Sequence, residues 1–222
     1  MSIAENLHQI RSTLKDGVEL VAVSKFHPAE RLAEAYAAGQ RVFGESRVQE
    51  LREKQPLLPA DVEWHFIGHL QTNKVKYIAP YISLIHAVDS MHLLEEINRQ
   101  AERVGRSIDC LLELHIAMEE TKYGLTPEAC RELLKGGEWR ELANVRICGL
   151  MCMATNTDDE SQIRREFRCA ENLFNEIKSD FFSDAPNFCI KSWGMSDDYD
   201  IAQETGSNMV RIGTAVFGNR EY

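Results

Sequence analysis

The stretch Leu20-Val21-Ala22-Val23-Ser24-Lys25-Phe26-His27-Pro28 decides how this chain is read. Its first four residues form an unbroken apolar run, the composition of a strand buried on both faces, as in a parallel sheet. A lysine follows at the end of that run, and Pro28 suits the first turn of a helix, where a missing N–H is no loss. In parallel α/β sheets and barrels this end of a strand is where ligands bind. Side-chain alternation puts Lys25 on the face of Val21 and Val23, so its stem points with the apolar set. Two readings stand at this point: a rim lysine that snorkels to water, or an amine held for chemistry.

Outward from this run the pattern repeats. Further strands are predicted at 41–44, 64–68, 82–87, 108–116, 145–151, 188–191 and 209–212. Helices are predicted at 28–38, 48–55 and 73–77, and from Asp89 or Ser90 to 104. Another opens at Thr126-Pro127-Glu128, and two more cover 158–178 and 197–204. Residues 4–14 have helical spacing and cover one end or side. Eight short strands alternating with helices predict an α/β fold: a single (β/α)8 barrel of the TIM type with an extra N-terminal helix. No linker or charge block divides residues 1–222, so one domain is expected. An open doubly wound sheet is the alternative.

With 222 residues, 44% of them hydrophobic, the chain is long enough for a substantial core. The 25 Lys and Arg against 35 Asp and Glu leave a net charge of −10, which argues against general nucleic-acid binding. The first residues are polar and amphipathic, unlike a signal peptide, and no apolar stretch is long enough to cross a bilayer. A cytoplasmic protein without a membrane partner is expected. The six cysteines (Cys110, Cys130, Cys148, Cys152, Cys169 and Cys189) are scattered without a C-x-x-C pair, and read as buried free thiols in a reducing compartment. Neither they nor the seven histidines have metal-ligand spacing, so no metal site is expected. Phosphate-loop, dinucleotide, zinc-protease and serine-hydrolase motifs are absent.

Function in a barrel is read at the strand ends: Lys25, Gly44-Glu45-Ser46, Gly68-His69, Met151, Ser192-Trp193-Gly194-Met195-Ser196 and Arg211-Ile212-Gly213-Thr214. The last two combine hydroxyl donors with exposed backbone N–H groups after the seventh and eighth strands, the common barrel site for a phosphate. Arg211 is a charge inside a strand, on the face of Met209 and Gly213. Buried, it needs an acceptor, which is either a structural carboxylate or a ligand.

Taken in order, several segments resemble one family. They are Ala22-Val23-Ser24-Lys25, Phe43-Gly44-Glu45, the run from Trp64 to Lys74, Gly149-Leu150-Met151, Gly194-Met195-Ser196-Asp197-Asp198 and the run from Val210 to Gly218. The chain is similar, from about residue 20 to Arg220, to the pyridoxal phosphate homeostasis family, single-domain proteins with the alanine-racemase N-terminal barrel. The resemblance implies pyridoxal 5′-phosphate as cofactor, with Lys25 matching the lysine that forms its Schiff base. By the same resemblance Ser192, Gly194, Ser196, Gly213 and Thr214 match the phosphate-holding segments, Arg211 faces the pyridine nitrogen, and His69 and Met151 lie beside the ring. Ser46 stands where the family usually has asparagine, so that any amide contact there is lost or shortened, and Trp193 stands where methionine is usual, altering packing near the phosphate.

The implied function is a carrier or buffer that keeps a reactive aldehyde masked and hands it to cofactor-dependent apo-enzymes, without catalytic residues of its own. The alternative is an amino-acid racemase-like enzyme. Racemisation needs a base on each face of the substrate carbanion, and in the two-domain racemases the second base comes with a further domain and dimer partner. The chain stops at Tyr222, soon after the eighth strand, so the carrier and a monomer are expected.

Overall fold

The computed structural model describes residues 1–118 and 123–218. Among these, parallel strands close into a barrel in sequence order. The strands are β1 (Glu19–Val23), β2 (Val42–Glu45), β3 (Glu63–Phe66), β4 (Leu84–Val88), β5 (Ile108–Leu114), β6 (Val145–Cys152), β7 (Ile190–Ser192) and β8 (Met209–Ile212). Closure is made by β8 against β1, with Glu19 opposite Met209 and Ala22 opposite Ile212. That pairing removes the open sheet as an alternative.

Helices α1 (Ile3–Thr13), α2 (Ala29–Ala37), α3 (Val48–Lys54), α4 (Val75–Ile78), α5 (Met91–Arg103), α6 (Pro127–Gly136), α7 (Glu160–Phe181), α8 (Tyr199–Glu204) and α9 (Thr214–Phe217) lie outside the sheet. The extra helix α1 starts at a capping box, in which Ser2 and Glu5 satisfy each other's backbone N–H groups. It buries Ile3, Leu7 and Ile10, spaced for one helical face. That face packs on α2 and α9, and Asn6 Nδ2 donates to the Val216 carbonyl at 2.9 Å. Thr126 caps α6 with Pro127 behind it, and Asp159 caps α7 by accepting from Ser161 and Gln162. Among the described residues no helix is long and apolar enough to cross a membrane.

Several boundaries differ from the sequence expectation. Pro28 is the N-cap of α2 rather than part of its first turn. The fourth strand starts at Leu84, because the Ile82 N–H is taken by the Ile78 carbonyl and so finishes α4. The fifth ends at Leu114, where the next N–H, on His115, leaves the ladder for the Leu125 carbonyl. Phe188 lies in a turn closed onto Ala185, so the seventh strand shrinks to Ile190–Ser192. The cysteines are all free, but Cys169 and Cys189 are exposed rather than buried.

Two apolar layers result. A large one lies between sheet and helices, and a smaller one, including Val21, Leu111, Met151 and Met209, fills the bore. Above the apolar part of the bore sits a polar layer. His65 Nδ1 is 3.1 Å from His86 Nε2, and His86 Nδ1 is 3.0 Å from the Ser192 hydroxyl. That hydroxyl accepts from Arg211 Nη1 at 2.7 Å. Burial pushes His65 down to about 3 and His86 well below its ordinary range, so the two rings are neutral and share hydrogen bonds rather than charge. Glu113 is buried too, and its Oε2 has no hydrogen-bond partner among the described residues. Burial, with Asp89 nearby, raises its pKa to about 7 against the opposing pull of Arg211.

β6 bulges where Cys110 faces Ile147 but Leu111 faces Gly149. There the backbones of β6 and β7 come so close that a Cβ on Gly149 would lie 1.8 Å from the Ile190 carbonyl oxygen.

Two outcomes are expected. Gly149→Ala forces β7 outward and should destabilise the protein by about 3 kcal/mol, the top of the overpacking range, in a denaturant titration. An unchanged midpoint would mean that β7 is not held where it is placed. Glu113 is protonated in the fold at a pH where the unfolded chain has already ionised it. Its contribution to stability is therefore complete below the unfolded carboxyl's ordinary range and is lost as pH rises to about 7. Glu113→Gln should flatten the fall in melting temperature across that window and melt higher than wild type above it. Parallel pH–melting curves for the two proteins would exclude this environment for Glu113.

Candidate functional site

The turn after β1 is built around a buried ammonium. Lys54, at the end of α3, donates to Glu45 Oε1 at 2.6 Å, the Ser24 carbonyl at 2.8 Å and Glu50 Oε2 at 2.9 Å. The Ser24 hydroxyl donates to the same Glu45 oxygen at 2.7 Å, and the Phe26 N–H donates to Glu50 at 2.8 Å. Phe26 has φ 68°, a positive value otherwise confined to glycine among the described residues. Such a conformation costs a non-glycine residue about 1–2 kcal/mol, and the charge-assisted bond to Glu50 offsets it. Burial raises the Glu45 carboxyl, opposed by Lys54. Burial would raise Glu50 as well, but the Phe26 N–H and Lys54 outweigh it and hold that carboxyl below its ordinary range. Between the anchored Ser24 and Phe26 stands Lys25.

Lys25 lines a cavity of about 220 Å³ at the C-terminal end of the barrel. Its walls include Val23, Ile67, Met153 and Met195, with His27 and Asp197 also on the lining. Ser196, Gly213 and Thr214 complete one side and Arg211 contributes a guanidinium. The Ser196 and Thr214 hydroxyls make no hydrogen bond among the described residues. Thr214 opens α9, where the first N–H groups lack helical partners.

Arg211 is 4% exposed and makes no ion pair among the described residues. Nη1 donates to the Ser192 carbonyl at 2.6 Å and to its hydroxyl, and Nη2 donates to the Cys152 carbonyl at 2.9 Å. Those contacts leave Nε–H and one Nη2 hydrogen without a protein acceptor among the described residues. Burial lowers the Arg211 pKa from its ordinary value. Of the two acceptors open to it from the sequence, a structural carboxylate is not the one used.

Five expected residues therefore meet in one cavity: Lys25, Ser196, Arg211, Gly213 and Thr214. The other five do not line it. The Ser192 hydroxyl is fully buried below, between His86 and Arg211. Gly194 has φ 95° and no room for a Cβ, which would lie 2.6 Å from that of Ala202, so it shapes the turn before α8. Its carbonyl accepts from the Arg211 N–H at 3.0 Å. Met151 belongs to the bore, and the residue of that face reaching the cavity is Met153, two positions on.

Ser46 and His69 line a neighbouring cleft, where His69 stacks on Tyr123 with ring centroids 4.0 Å apart. Trp193 is fully buried in the outer apolar layer, its Nε1 without a partner among the described residues, and it packs away from the cavity. Alternation from Lys25 already puts Val23 on this face; Ile67 and Met153 carry no chemistry that marks them in a sequence, and His27 is one of seven histidines without a distinguishing pattern. Among the described residues no group of three or more His, Cys, Asp or Glu could hold a metal ion.

The family model described as "Alanine racemase, N-terminal domain" matches residues 1–221. The pyridoxal phosphate homeostasis protein of Aquifex aeolicus (strain VF5) is 40% identical over 205 residues, covering 92% of this chain and 88% of that protein. PipY of Synechococcus elongatus PCC7942, solved with pyridoxal phosphate (PLP) bound, superposes with a TM-score of 0.87 at 37% identity, over 97% of this chain and all of that one. Alanine racemase from Clostridium difficile 630, at 18% identity and a TM-score of 0.78, shares the fold over 57% of its own length. By sequence and by barrel alike, the chain belongs to the pyridoxal phosphate homeostasis protein family.

Proposed function

We propose that this protein holds pyridoxal 5′-phosphate covalently on Lys25 as a carrier or buffer, and does not strongly activate amino acids. The observation that carries this reading is that Lys25, Ser196, Thr214 and Arg211 line one small cavity. The donors fit the group: an amine for an aldehyde, hydroxyls and a short helix start for a phosphate, and a buried guanidinium with spare N–H groups for a ring nitrogen. Bound PLP supplies an aldehyde that condenses with an amine, losing water, and a ring that withdraws electrons when its nitrogen is protonated.

The chain's own residues set how far that chemistry goes. Glu45, Glu50 and Lys54 hold the backbone on both sides of Lys25, so the amine is presented from a fixed turn. Val23, Ile67, Met153 and Met195 give the reacting end apolar walls. Ser192 and the Cys152 carbonyl fix the guanidinium of Arg211, which is a permanent donor and offers the ring nitrogen no proton to keep. The ring is then a weak electron sink, which suits storage rather than racemisation. On this reading Ser192 and Gly194 position the phosphate side indirectly, while Met151, Ser46 and His69 sit outside the cofactor's contacts. A monomer in the cytoplasm, passing cofactor to apo-enzymes that lack it, completes the proposal.

Borohydride reduction of PLP-loaded protein followed by peptide mapping should label Lys25. Label on another lysine, or none, overturns the covalent assignment. Thr214→Ala and Ser196→Ala should each weaken cofactor binding by about tenfold or more, the loss of one hydrogen bond to a charged acceptor. Wild-type affinity in both variants would place the phosphate elsewhere. Loaded protein incubated with L-amino acids in deuterated water should exchange α-protons no faster than free PLP does. Exchange far above that rate would favour the racemase-like enzyme.

A further inference from the structure

Beside the Lys25 cavity, and sharing no lining residue with it, lies a cleft of about 430 Å³ between α3 and the start of α4. Its lining carries Arg47, Arg52, Lys74 and His69 and no carboxylate, on a chain whose net charge is −10. Like charges facing one space repel, and a random sample of this acidic surface would have mixed them with Asp or Glu. Among the described residues none of Arg47, Arg52 and Lys74 forms an ion pair.

The two arginines are held by aromatic rings instead. The Arg52 guanidinium carbon lies 4.5 Å from the centroid of Tyr77, and that of Arg47 lies 4.6 Å from the centroid of Phe26. Lys74 approaches the same Tyr77 ring at 5.9 Å. Stacking on an aromatic face fixes a guanidinium while leaving its in-plane N–H donors for oxygen acceptors. Carboxylate partners would have consumed those donors. Gln71 adds an amide on the same lining, while the Gln49 amide donates to Glu53 at 2.6 Å.

We infer that this cleft is a second anion site, one that recognises the phosphate of a phosphorylated small molecule. Its volume lies in the range of small-molecule pockets, well above what one inorganic ion needs. Because Arg47 stacks on Phe26, the residue after Lys25, an occupant would lie one side chain away from the turn that presents the amine. The inference does not depend on Lys25 carrying a cofactor.

Calorimetric titration of the full-length protein with inorganic pyrophosphate, at physiological ionic strength, tests it. Wild type should bind saturably, and the exposed double variant Arg52→Glu/Lys74→Glu should bind about tenfold or more weakly, with an unchanged melting temperature. Thr214→Ala, in the Lys25 cavity, should retain wild-type affinity for pyrophosphate. Titrating pyridoxine 5′-phosphate and pyridoxine in parallel separates the sources. Vitamer binding that the double variant loses and Thr214→Ala keeps assigns the cleft to the cofactor's own family of compounds, and pyrophosphate binding alone lost in that way assigns it to other phosphorylated metabolites; both uphold it. No saturable binding of any phosphate compound overturns the inference and leaves the charge to an acidic protein surface. Loss in Thr214→Ala with none in the double variant overturns it too, by placing the anion in the Lys25 cavity.

Discussion

The structure at the mouth of this barrel depends on one buried cation. Taking the Lys54 ammonium out of water costs several kcal/mol unless every proton finds an acceptor. Here all three do: Glu45 from the end of β2, the Ser24 carbonyl beyond the end of β1, and Glu50 within α3. The geometry ties two strands and a helix to one point, and through Glu50 it reaches the Phe26 N–H. No apolar contact could do the same, because dispersion is non-directional and would not select a left-handed Phe26. Removing either end would leave a buried charge unpaired, so the group acts as a unit whose members cannot be varied singly.

The barrel itself was legible because parallel strands are written as apolar runs with helical spacing between them. Lys25, Arg211 and the small residues near Gly213 were legible because charge or hydroxyl at a strand end is conspicuous there. What misled was counting from motifs to side chains without knowing depth. Met151 and Met153 share a face, and only the length of β6 inside the barrel decides which reaches the mouth. Ser192 was expected to hold a ligand, yet its hydroxyl is spent on His86 and Arg211 in the layer beneath. Ser46 and His69 follow correctly identified strand ends but turn outward to the neighbouring cleft. The strand boundaries failed where a local turn outcompeted the ladder for one N–H, as at Ile82, His115 and Phe188.

Net charge and local charge have opposite signs in this molecule. The acidic excess suggests a protein indifferent to anions, yet Arg211 stands in the bore without an ion pair among the described residues, and Arg47, Arg52 and Lys74 stand likewise in the cleft. The layer below Arg211 keeps it so. His65 and His86 are neutral, and Glu113, raised to about 7, is largely protonated in mildly acidic solution. A carboxylate at either histidine position would have neutralised the guanidinium and removed the reason for an anion or a lone pair to approach it.

On the proposed function, the same layer bears on how a barrel shared with racemases would hold a reactive cofactor without strongly activating amino acids. An electron sink at the proposed site requires a protonated ring nitrogen, and a protonated ring nitrogen requires an acceptor beneath it. Arg211 is locked in place by carbonyls of Ser192 and Cys152, which only accept, so it can present nothing but donors upward. The Ser192 hydroxyl, an acceptor from Arg211, is buried in the layer beneath and does not line the cavity. On the proposal that Arg211 faces the ring nitrogen, restraint there comes from hydrogen-bond polarity running down through the bore, several residues removed from Lys25.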